Sequence, residues 1–265
     1  SPSVEPPSAE STSTVSGRDV PGHIHNISLR DGVLLLGTHE GLWSQAPGEQ
    51  PVMVSGDPFD VMGFTMGEGR WFASGHPGEG TGGPAHLGLI QSTDDGVTWQ
   101  EVSLAGEVDF HRLVTSGDRL LGMNSVDGAL LRSDDTGATW TSLGSPPLYD
   151  IAVSPTQPDV VVGTTQDGPV RSSDGGGSFE PLEADSLIAL LAWDPQALFG
   201  VDVDGRVHAS TDMGASWEPR GESGGSPLAI AAEGERVVVL TGGTVSESVD
   251  GGRTFTPRLT DLSGH

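Results

Sequence analysis

An eight-residue pattern repeats along the chain and constrains its fold more than any other feature. The pattern is serine, any residue, aspartate, any residue, glycine, any residue, threonine or serine, and then an aromatic residue. Its five copies occupy residues 92–99, 133–140, 172–179, 210–217 and 248–255. Successive copies begin about 40 residues apart, a period that indicates an array of stacked supersecondary units.

Between the copies, short apolar segments alternate with turn residues. The third unit has such segments at 110–116, 119–125, 129–134 and 139–143, which we name A to D. The repeated pattern lies in the turn from C to D. The chain also contains 40 glycines and 19 prolines, and it shows no long amphipathic helical pattern. We therefore predict an all-β protein made of many short strands.

Six units can be traced, although the first has lost the aspartate of its C–D turn at residues 44–48. They predict a six-bladed β-propeller with four antiparallel strands per blade and the aspartate turns between strands C and D. A single propeller domain is expected over residues 19–265, closed by a strand from residues 15–22 or 260–265. The predicted blades span residues 23–56, 60–105, 109–144, 147–183, 187–222 and 226–260.

The composition limits the partners of the chain. Its 265 residues include 37 aspartates and glutamates, 12 arginines and no lysine, for a net charge of −25. This charge argues against nucleic acid or an anionic membrane as a partner, because both would be repelled. The absence of cysteine excludes disulfides and thiolate metal sites. No apolar run approaches the roughly 20 residues of a transmembrane span.

Residues 1–18 are rich in serine, proline and glutamate, a composition that does not pack a core. We predict a disordered linker of the kind that follows a removed targeting segment or a lipid-attachment site. The expectation is an exported, monomeric protein, either extracellular or held at the cell surface through a lipid anchor.

The candidate functional residues converge on one end of the predicted propeller channel. The starts of the A strands and the ends of the B strands meet at the same mouth. Aligning the A strands gives a column of six residues: His25, Met62, His111, Tyr149, Ile188 and Leu228. The B strands of the first two blades end in His39 and His76, whereas later blades place Val126, Gln166 and Val203 near that position.

Five potential metal ligands therefore come from three neighbouring blades: His25, His39, His76, His111 and Met62. Six of the eight histidines lie between residues 23 and 111. Imidazole suits copper, zinc, nickel and iron, and a thioether beside imidazoles favours copper. We expect a copper site, with zinc as the alternative, and no organic cofactor.

Further residues are possible accessories to this site. Asp60, Asp109 and Glu40 flank the histidines and can accept hydrogen bonds that fix the imidazole tautomers. His23, His86 and Tyr149 lie close enough in the alignment to add ligands. The alternative is that these histidines only hydrogen-bond the backbone at a solvated channel mouth.

The repeated pattern resembles the Asp-box, or BNR, repeat of sialidases and of many non-enzymatic propellers. The resemblance implies a structural role for the five pattern aspartates Asp94, Asp135, Asp174, Asp212 and Asp250. Residues 60–64, 74–77, 87–92 and 106–111 also resemble segments of exported bacterial propellers that carry a sialidase-like glycosyl hydrolase label. That label implies a glycosidase.

The sialidase machinery implied by this label is not found in the chain. Sialidases clamp the substrate carboxylate with three arginines, but only Arg112 is expected beside the mouth, and the Arg-Ile-Pro segment is absent. We therefore expect a non-catalytic metal-binding propeller. The alternatives are a glycoside hydrolase with a carboxylate pair among Asp60, Glu107, Asp109 and Asp150, or a scaffold that binds a protein partner.

Overall fold

A computed structural model describes residues 13–20, 22–54, 56 and 58–262. Within these ranges the chain forms 25 strands and no helix, and six sheets are arranged as the blades of a β-propeller. The predicted fold, with four antiparallel strands in each of six blades, is confirmed. The described residues contain no helix long and apolar enough to cross a membrane.

The first three blades follow one another along the chain after a short strand β1 (Val15–Ser16). Blade 1 contains β2 (Ile24–Arg30), β3 (Val33–Thr38), β4 (Gly41–Gln45) and β5 (Val52–Met53). Blade 2 contains β6 (Asp60–Gly67), β7 (Arg70–His76), β8 (Leu89–Ser92) and β9 (Gln100–Ser103). Blade 3 contains β10 (Phe110–Ser116), β11 (Arg119–Asn124), β12 (Leu130–Ser133) and β13 (Thr141–Ser142).

The last three blades complete the ring. Blade 4 contains β14 (Asp150–Val153), β15 (Val161–Thr165), β16 (Gly168–Ser172) and β17 (Glu180–Pro181). Blade 5 contains β18 (Ile188–Asp194), β19 (Ala197–Asp202), β20 (Arg206–Ser210) and β21 (Glu218–Glu222). Blade 6 contains β22 (Pro227–Glu233), β23 (Arg236–Thr241), β24 (Thr244–Ser248) and β25 (Thr256–Thr260).

The core lies between the blades, and the alternation of side chains along each strand explains why. Successive residues of a strand point to opposite faces of its sheet. Leu34 and Leu36 of β3 accordingly pack against Val238 and Leu240 of blade 6, on one side of blade 1. Leu35, between them, packs against blade 2 on the other side. Each blade is therefore buried on both faces and is stable only within the ring.

The repeated turns are closed by their own side chains, as residues 172–179 show. The Ser172 hydroxyl accepts from Gly176 N at 2.8 Å and donates to Asp174 Oδ1 at 2.7 Å. Asp174 also accepts from the backbone N–H and the hydroxyl of Ser178, at 3.0 and 2.8 Å. The other four copies repeat this network. Both carboxylate oxygens are engaged within the turn, an arrangement typical of a structural element.

Replacing Ser172 with alanine is expected to destabilise the propeller. The substitution leaves the buried N–H of Gly176 without its acceptor, at a cost of about 1–3 kcal/mol. In a domain of this size that corresponds to a melting temperature lower by about 2–12 °C. Ser145→Ala, at an exposed serine, is the matched control. Equal melting temperatures for the two variants would contradict the structural role of the turn.

The same turns predict a loss of stability in acid. Hydrogen bonds from the hydroxyl and N–H groups of the turns lower the pKa of Asp94, Asp135 and Asp174 to about 2. An unfolded aspartate titrates near pH 3.9, so the turns stabilise the folded state fully above that value and lose this effect as the pH falls towards 2. Thermal melts between pH 5 and 2.5 should show a falling midpoint. Asp135→Asn should flatten that dependence, and an unchanged slope in this variant would contradict the assignment.

The N-terminal segment adds a strand outside blade 6. β1 pairs in parallel with β25, Val15 opposite Leu259, and Gly17 N donates to the Thr260 carbonyl at 2.6 Å. All four regular strands of blade 6 come from the C-terminal end, so β1 is a fifth strand. The linker predicted for residues 1–18 therefore does not extend over Val15–Ser16, which lie within the segment 15–22 that was predicted as one source of a closing strand. Residues 1–12 lie outside the described residues.

A buried arginine joins the first and last blades. Arg258 of β25 is fully buried. Its guanidinium donates to Gln45 Oε1 and Glu247 Oε1, both at 2.7 Å, and to the Gly32 carbonyl at 2.9 Å. Across the same seam, the Glu233 carboxylate accepts from the backbone N–H groups of Asp31 and Gly32. These contacts seal the ring where the two ends of the propeller meet.

Candidate metal centre

The innermost strands β2, β6, β10, β14, β18 and β22 line a central channel of about 240 Å³. In every blade the innermost strand begins, and the second strand ends, at the same end of this channel. We call that end the mouth. The mouth is the location that the sequence predicted for the functional residues.

A bulge near the start of the innermost strand determines which side chains stand at the mouth. In β2, β6, β10, β18 and β22 the pairing with the second strand shifts by one residue at this point. The extra residues are His25, Met62, His111, Ala189 and Leu228. The sequence alignment chose Ile188 in blade 5, which is wrong by one residue because Ile188 pairs with Asp202 and is buried.

His23, His25 and His39 form what we call the first group. One ring nitrogen of each lies within 4.8 Å of those of the other two. His25 Nε2 is 3.2 Å from His39 Nδ1. His23 precedes β2 and His39 follows β3, and the backbone N–H of His39 donates to the His23 carbonyl at 3.3 Å. The pairing of two neighbouring strands therefore brings these imidazoles together.

Asp60, at the start of β6, contacts imidazoles from two blades. Its Oδ1 lies 3.2 Å from His25 Nε2. Its Oδ2 lies 3.0 Å from His39 Nδ1 and 3.2 Å from His76 Nδ1. Gly75 permits this arrangement, because a Cβ there would lie 1.8 Å from the Asp60 carbonyl oxygen. The last residue of β7, His76, can thus pair directly with Asp60.

His76, His86 and Asp109 form the second group. One ligand atom of each lies within 4.8 Å of those of the others. His76 Nε2 is 3.5 Å from Asp109 Oδ2, and the His76 and His86 ring centroids are 5.3 Å apart. His86 belongs to the connection between β7 and β8, and its carbonyl accepts from Gly106 N at 2.8 Å. That hydrogen bond ties the connection to the chain just before Asp109.

His111 is attached to the second group through Asp109. Its Nε2 lies 2.8 Å from Asp109 Oδ2, which also accepts from the Ser125 hydroxyl at 2.8 Å. Ser125 was missed in the sequence, where Val126 was placed at this position. Strand register identifies Ser125. It directly follows the last residue of β11, and this position corresponds to that of His76 at the end of β7.

Two buried side chains lock neighbouring blades just below the mouth. The Asn26 amide donates to the carbonyls of Val61 and Met62, at 3.0 and 3.1 Å, and joins blade 1 to blade 2. The Ser74 hydroxyl accepts from Phe110 N at 3.0 Å and joins blade 2 to blade 3. The two groups therefore stand on a rigid base formed by three blades.

The histidines control the ionisation of both carboxylates. Burial of Asp60 opposes ionisation, but hydrogen bonds from His25, His76 and His39 outweigh it and hold the Asp60 pKa below its ordinary value. Burial of Asp109 acts in the same direction, and contacts with His111 and Ser125 again lower the pKa. Both carboxylates are therefore anionic near neutral pH and suited to attract a cation.

Three predicted accessories lie outside these groups. Met62 occupies the bulge of β6, but the contacts that connect the described histidines and carboxylates do not include its thioether. Tyr149 precedes β14 and is 63% exposed. Glu40 is exposed in the β3–β4 turn, where its N–H donates to Thr38. None of these three side chains is among the His–Asp contacts of the described residues.

Other charged pairs near the channel have structural partners. Arg112, the arginine expected beside the mouth, contacts the fully buried Asp150, which also accepts from Leu191 N at 2.8 Å. His208 Nε2 lies 3.0 Å from Asp202 Oδ2, and both residues are buried in blade 5. These pairs connect strands and blades, and they leave the two groups as the candidate site.

Comparison with known proteins yields matches of fold alone. No protein-family model matches the chain, and no match is found among curated protein sequences. Among solved structures it resembles a structure described as YCF48 bound to D1 peptide, with 18% identity, a TM-score of 0.55, and coverage of 89% of this chain and 81% of that one.

Two further solved structures show the same likeness. A propeller from a nidogen/laminin complex aligns at 13% identity and a TM-score of 0.64, with 88% of this chain and 99% of that chain covered. A GH74 xyloglucanase from Xanthomonas campestris aligns at 16% identity and a TM-score of 0.59, with 92% of this chain covered. The alignment spans only 46% of the xyloglucanase chain. At these identities the likeness establishes a β-propeller scaffold shared by a glycoside hydrolase and by proteins solved with a peptide or a protein partner.

Proposed function

We propose that the protein binds transition-metal ions at the propeller mouth and does not itself catalyse a reaction. One observation carries this proposal. Six histidines and two aspartates from three consecutive blades form a continuous chain of contacts at one end of the channel. At a mouth that is only solvated, we would expect the imidazoles to hydrogen-bond water or the backbone, and not to be directed towards one another and towards shared carboxylates.

The donor atoms favour copper or zinc. Both groups offer imidazole nitrogens and carboxylate oxygens, which suit Zn(II) and Cu(II). The thioether of Met62, which favours copper, is not among the contacts described above. The donors in contact are therefore compatible with either ion, and copper is favoured only through the neighbouring Met62.

A glycosidase at the same mouth is less well supported. A glycosidase needs a general acid whose pKa is raised, paired with a second carboxylate. The pKa of Asp60 and that of Asp109 are both lowered, and each residue is held by histidines. Burial raises the pKa of Asp150, but this residue is fully buried and engaged by Arg112, so its carboxyl does not face the mouth as a general acid would. Arg112 is thereby also unable to act in a sialidase-like arginine clamp.

Calorimetric titration of the metal-free protein with ZnCl₂ and with CuCl₂ tests the proposal. We expect saturable binding by the natural chain and its loss in a His25→Ala, His39→Ala, His76→Ala triple variant that keeps the folded circular-dichroism spectrum. Glu40→Gln and Tyr149→Phe, beside the site but outside both groups, should bind like the natural chain. Absence of saturable binding would end the proposal, and hydrolysis of a fluorogenic sialoside or of xyloglucan by the metal-free protein would favour the glycosidase.

Binding of a protein segment is a second candidate function. The mouth also exposes large apolar side chains, all but one of them in blades 4 to 6, namely Val126, Tyr149, Leu187, Val203 and Leu228. Exposed apolar residues that adjoin polar ones are typical of peptide-binding surfaces. Tyr149→Ser together with Leu228→Ser should abolish capture of an apolar peptide without changing metal binding. Unchanged capture would remove this candidate.

We also propose export and an architectural role for the Asp-box-like turns. The net charge of −25 and the Ser/Pro/Glu-rich segment support an extracellular or surface-attached protein. The internal hydrogen bonds of the five turns support a structural role. Fractionation of the source cells tests the location, and an intracellular protein would contradict it.

A further inference from the structure

The carboxylate of Asp60 stands between the two groups and faces both. Oδ1 is directed at His25 of the first group, and Oδ2 contacts His39 of the first group and His76 of the second. Asp60 is half-buried and is locked in place by the neighbouring strand β7, whose His76 is its pairing partner. Because His76 turns Nδ1 to Asp60 and Nε2 to Asp109, Asp60 can bind an ion of the first group while it accepts a hydrogen bond from a ligand of the second.

Hydrogen bonds alone do not satisfy this arrangement. The contacts of His25 Nε2 and His39 Nδ1 with Asp60 each require a hydrogen on that nitrogen, so the two nitrogens cannot also hydrogen-bond to each other across their 3.2 Å separation. At the mouth, two buried atoms of the second group have no hydrogen-bond partner among the described residues: Asp109 Oδ1 and His86 Nδ1. Both are free to bind an ion.

The distances in the first group match those between the ligands of one ion. Bonds of about 2.0–2.1 Å to a tetrahedral ion place neighbouring ligand atoms about 3.3 Å apart. The separations between His25 Nε2, His39 Nδ1 and their nearer Asp60 oxygens are 3.0–3.2 Å. His23, in the same group, can supply a further nitrogen. In the second group, Asp109 and His86 each retain a buried ligand atom without a partner.

We propose that the mouth holds two divalent transition-metal ions, copper or zinc, and that Asp60 links them, as a ligand of the first ion and as the hydrogen-bond acceptor that orients His76, a ligand of the second. This inference rests on the proposed metal binding and extends it to a stoichiometry and a geometry. The first ion would be held by His23, His25 and His39, and the second by His76, His86 and Asp109. His111 and Ser125, which bind Asp109 Oδ2, orient that ligand from outside, as polar neighbours of metal ligands commonly do.

The test measures stoichiometry and coupling together. Metal-free protein is titrated with CuCl₂, and bound copper is counted by elemental analysis after gel filtration, which removes ions held loosely on the acidic surface. We expect two ions per chain in the natural protein and one in either His25→Ala or His86→Ala. Electron paramagnetic resonance of the two-copper protein should show a signal broadened or diminished by coupling between the ions.

Asp60→Asn then tests the link between the two groups, because the amide keeps the shape of the carboxylate but not its charge. The expected result is weaker binding of both ions, by at least about 10–100-fold, and a copper signal altered at both sites. Tyr149→Phe is the control and should leave both readouts unchanged. Circular dichroism and the melting temperature of each variant report whether it is folded.

The outcomes distinguish the two proposals. One ion per chain in the natural protein would overturn the two-ion site and leave metal binding intact. Two ions in the natural protein whose binding and signals are unaltered in Asp60→Asn would overturn the role of Asp60 alone. No bound copper in the natural protein would overturn the proposed function itself. Two ions that both bind more weakly in Asp60→Asn would support the inference.

Discussion

Truncating Arg258 to alanine is expected to lower the free energy of unfolding by about 3–5 kcal/mol, the range measured when one partner of a buried ion pair is removed. The variant leaves the buried carboxylate of Glu247 without the 2.7 Å contact to Arg258, and it leaves the Gln45 and Gly32 carbonyls without their donor. Because Arg258 joins blades 6 and 1, the loss opens the ring at its seam. Thermal melting should show a midpoint lower by about 10 °C or more.

The control for this prediction is an arginine with an exposed partner. Arg206 contacts Glu222 at 2.9 Å, and both side chains are exposed, so Arg206→Ala should change stability by less than about 1 kcal/mol. Glu247 keeps its contact with Arg236 in the Arg258→Ala variant, so the loss reports mainly the Gln45 and Gly32 contacts across the seam. A melting temperature for Arg258→Ala equal to that of Arg206→Ala would show that the seam does not depend on the guanidinium.

Saturation with zinc or copper is expected to raise the melting temperature strongly. An ion that binds only the folded chain adds about 4 kcal/mol when its free concentration is 1,000 times its Kd. For a domain of this size that amounts to about 10 °C per ion. The three blades that carry the ligands would gain most, because the ions add contacts between the strands of neighbouring blades.

A chelator should reverse this stabilisation, and Asp60→Ala should remove most of it. The same variant should change the melting temperature of the metal-free protein far less, because Asp60 is only half-buried and lies at the mouth. Zinc and copper should also be compared with Mg²⁺, which prefers oxygen ligands and near-octahedral geometry. A shift of equal size with Mg²⁺ would indicate general binding of cations to the acidic surface and would refute a histidine site.

The fold was predictable because the repeated turns set both the number of blades and the direction of every strand. That frame also predicts His25, His39, His76 and His111 at one mouth. The network itself was not predictable. The contacts of Asp60 with His25 and His39 cross from blade 2 to blade 1, and the repeat does not encode distances between blades.

The remaining differences have separate causes. A bulge changes register without any mark in the hydrophobic pattern, and blade 5 was aligned one residue early, on Ile188. The end of β11 was placed one residue late, on Val126. The closing strand could be limited only to residues 15–22 or 260–265, because β1 pairs with β25 at the far end of the chain. Met62 was predicted as a ligand only from its position in the aligned A strands, and that position does not determine where a flexible thioether points.

The bulges at the mouth allow the residues that determine binding to change while the fold stays the same. Each bulged side chain lies outside the regular ladder, so it can be exchanged without disturbing the hydrogen bonds that hold its blade together. Ala189 and Leu228 occupy in blades 5 and 6 the positions that His25 and His111 occupy in blades 1 and 3. Histidine could be introduced at either position by one substitution. The ring is therefore a fixed scaffold whose side chains at the mouth can be exchanged. A variant with new metal ligands in blades 5 and 6 would keep the same scaffold.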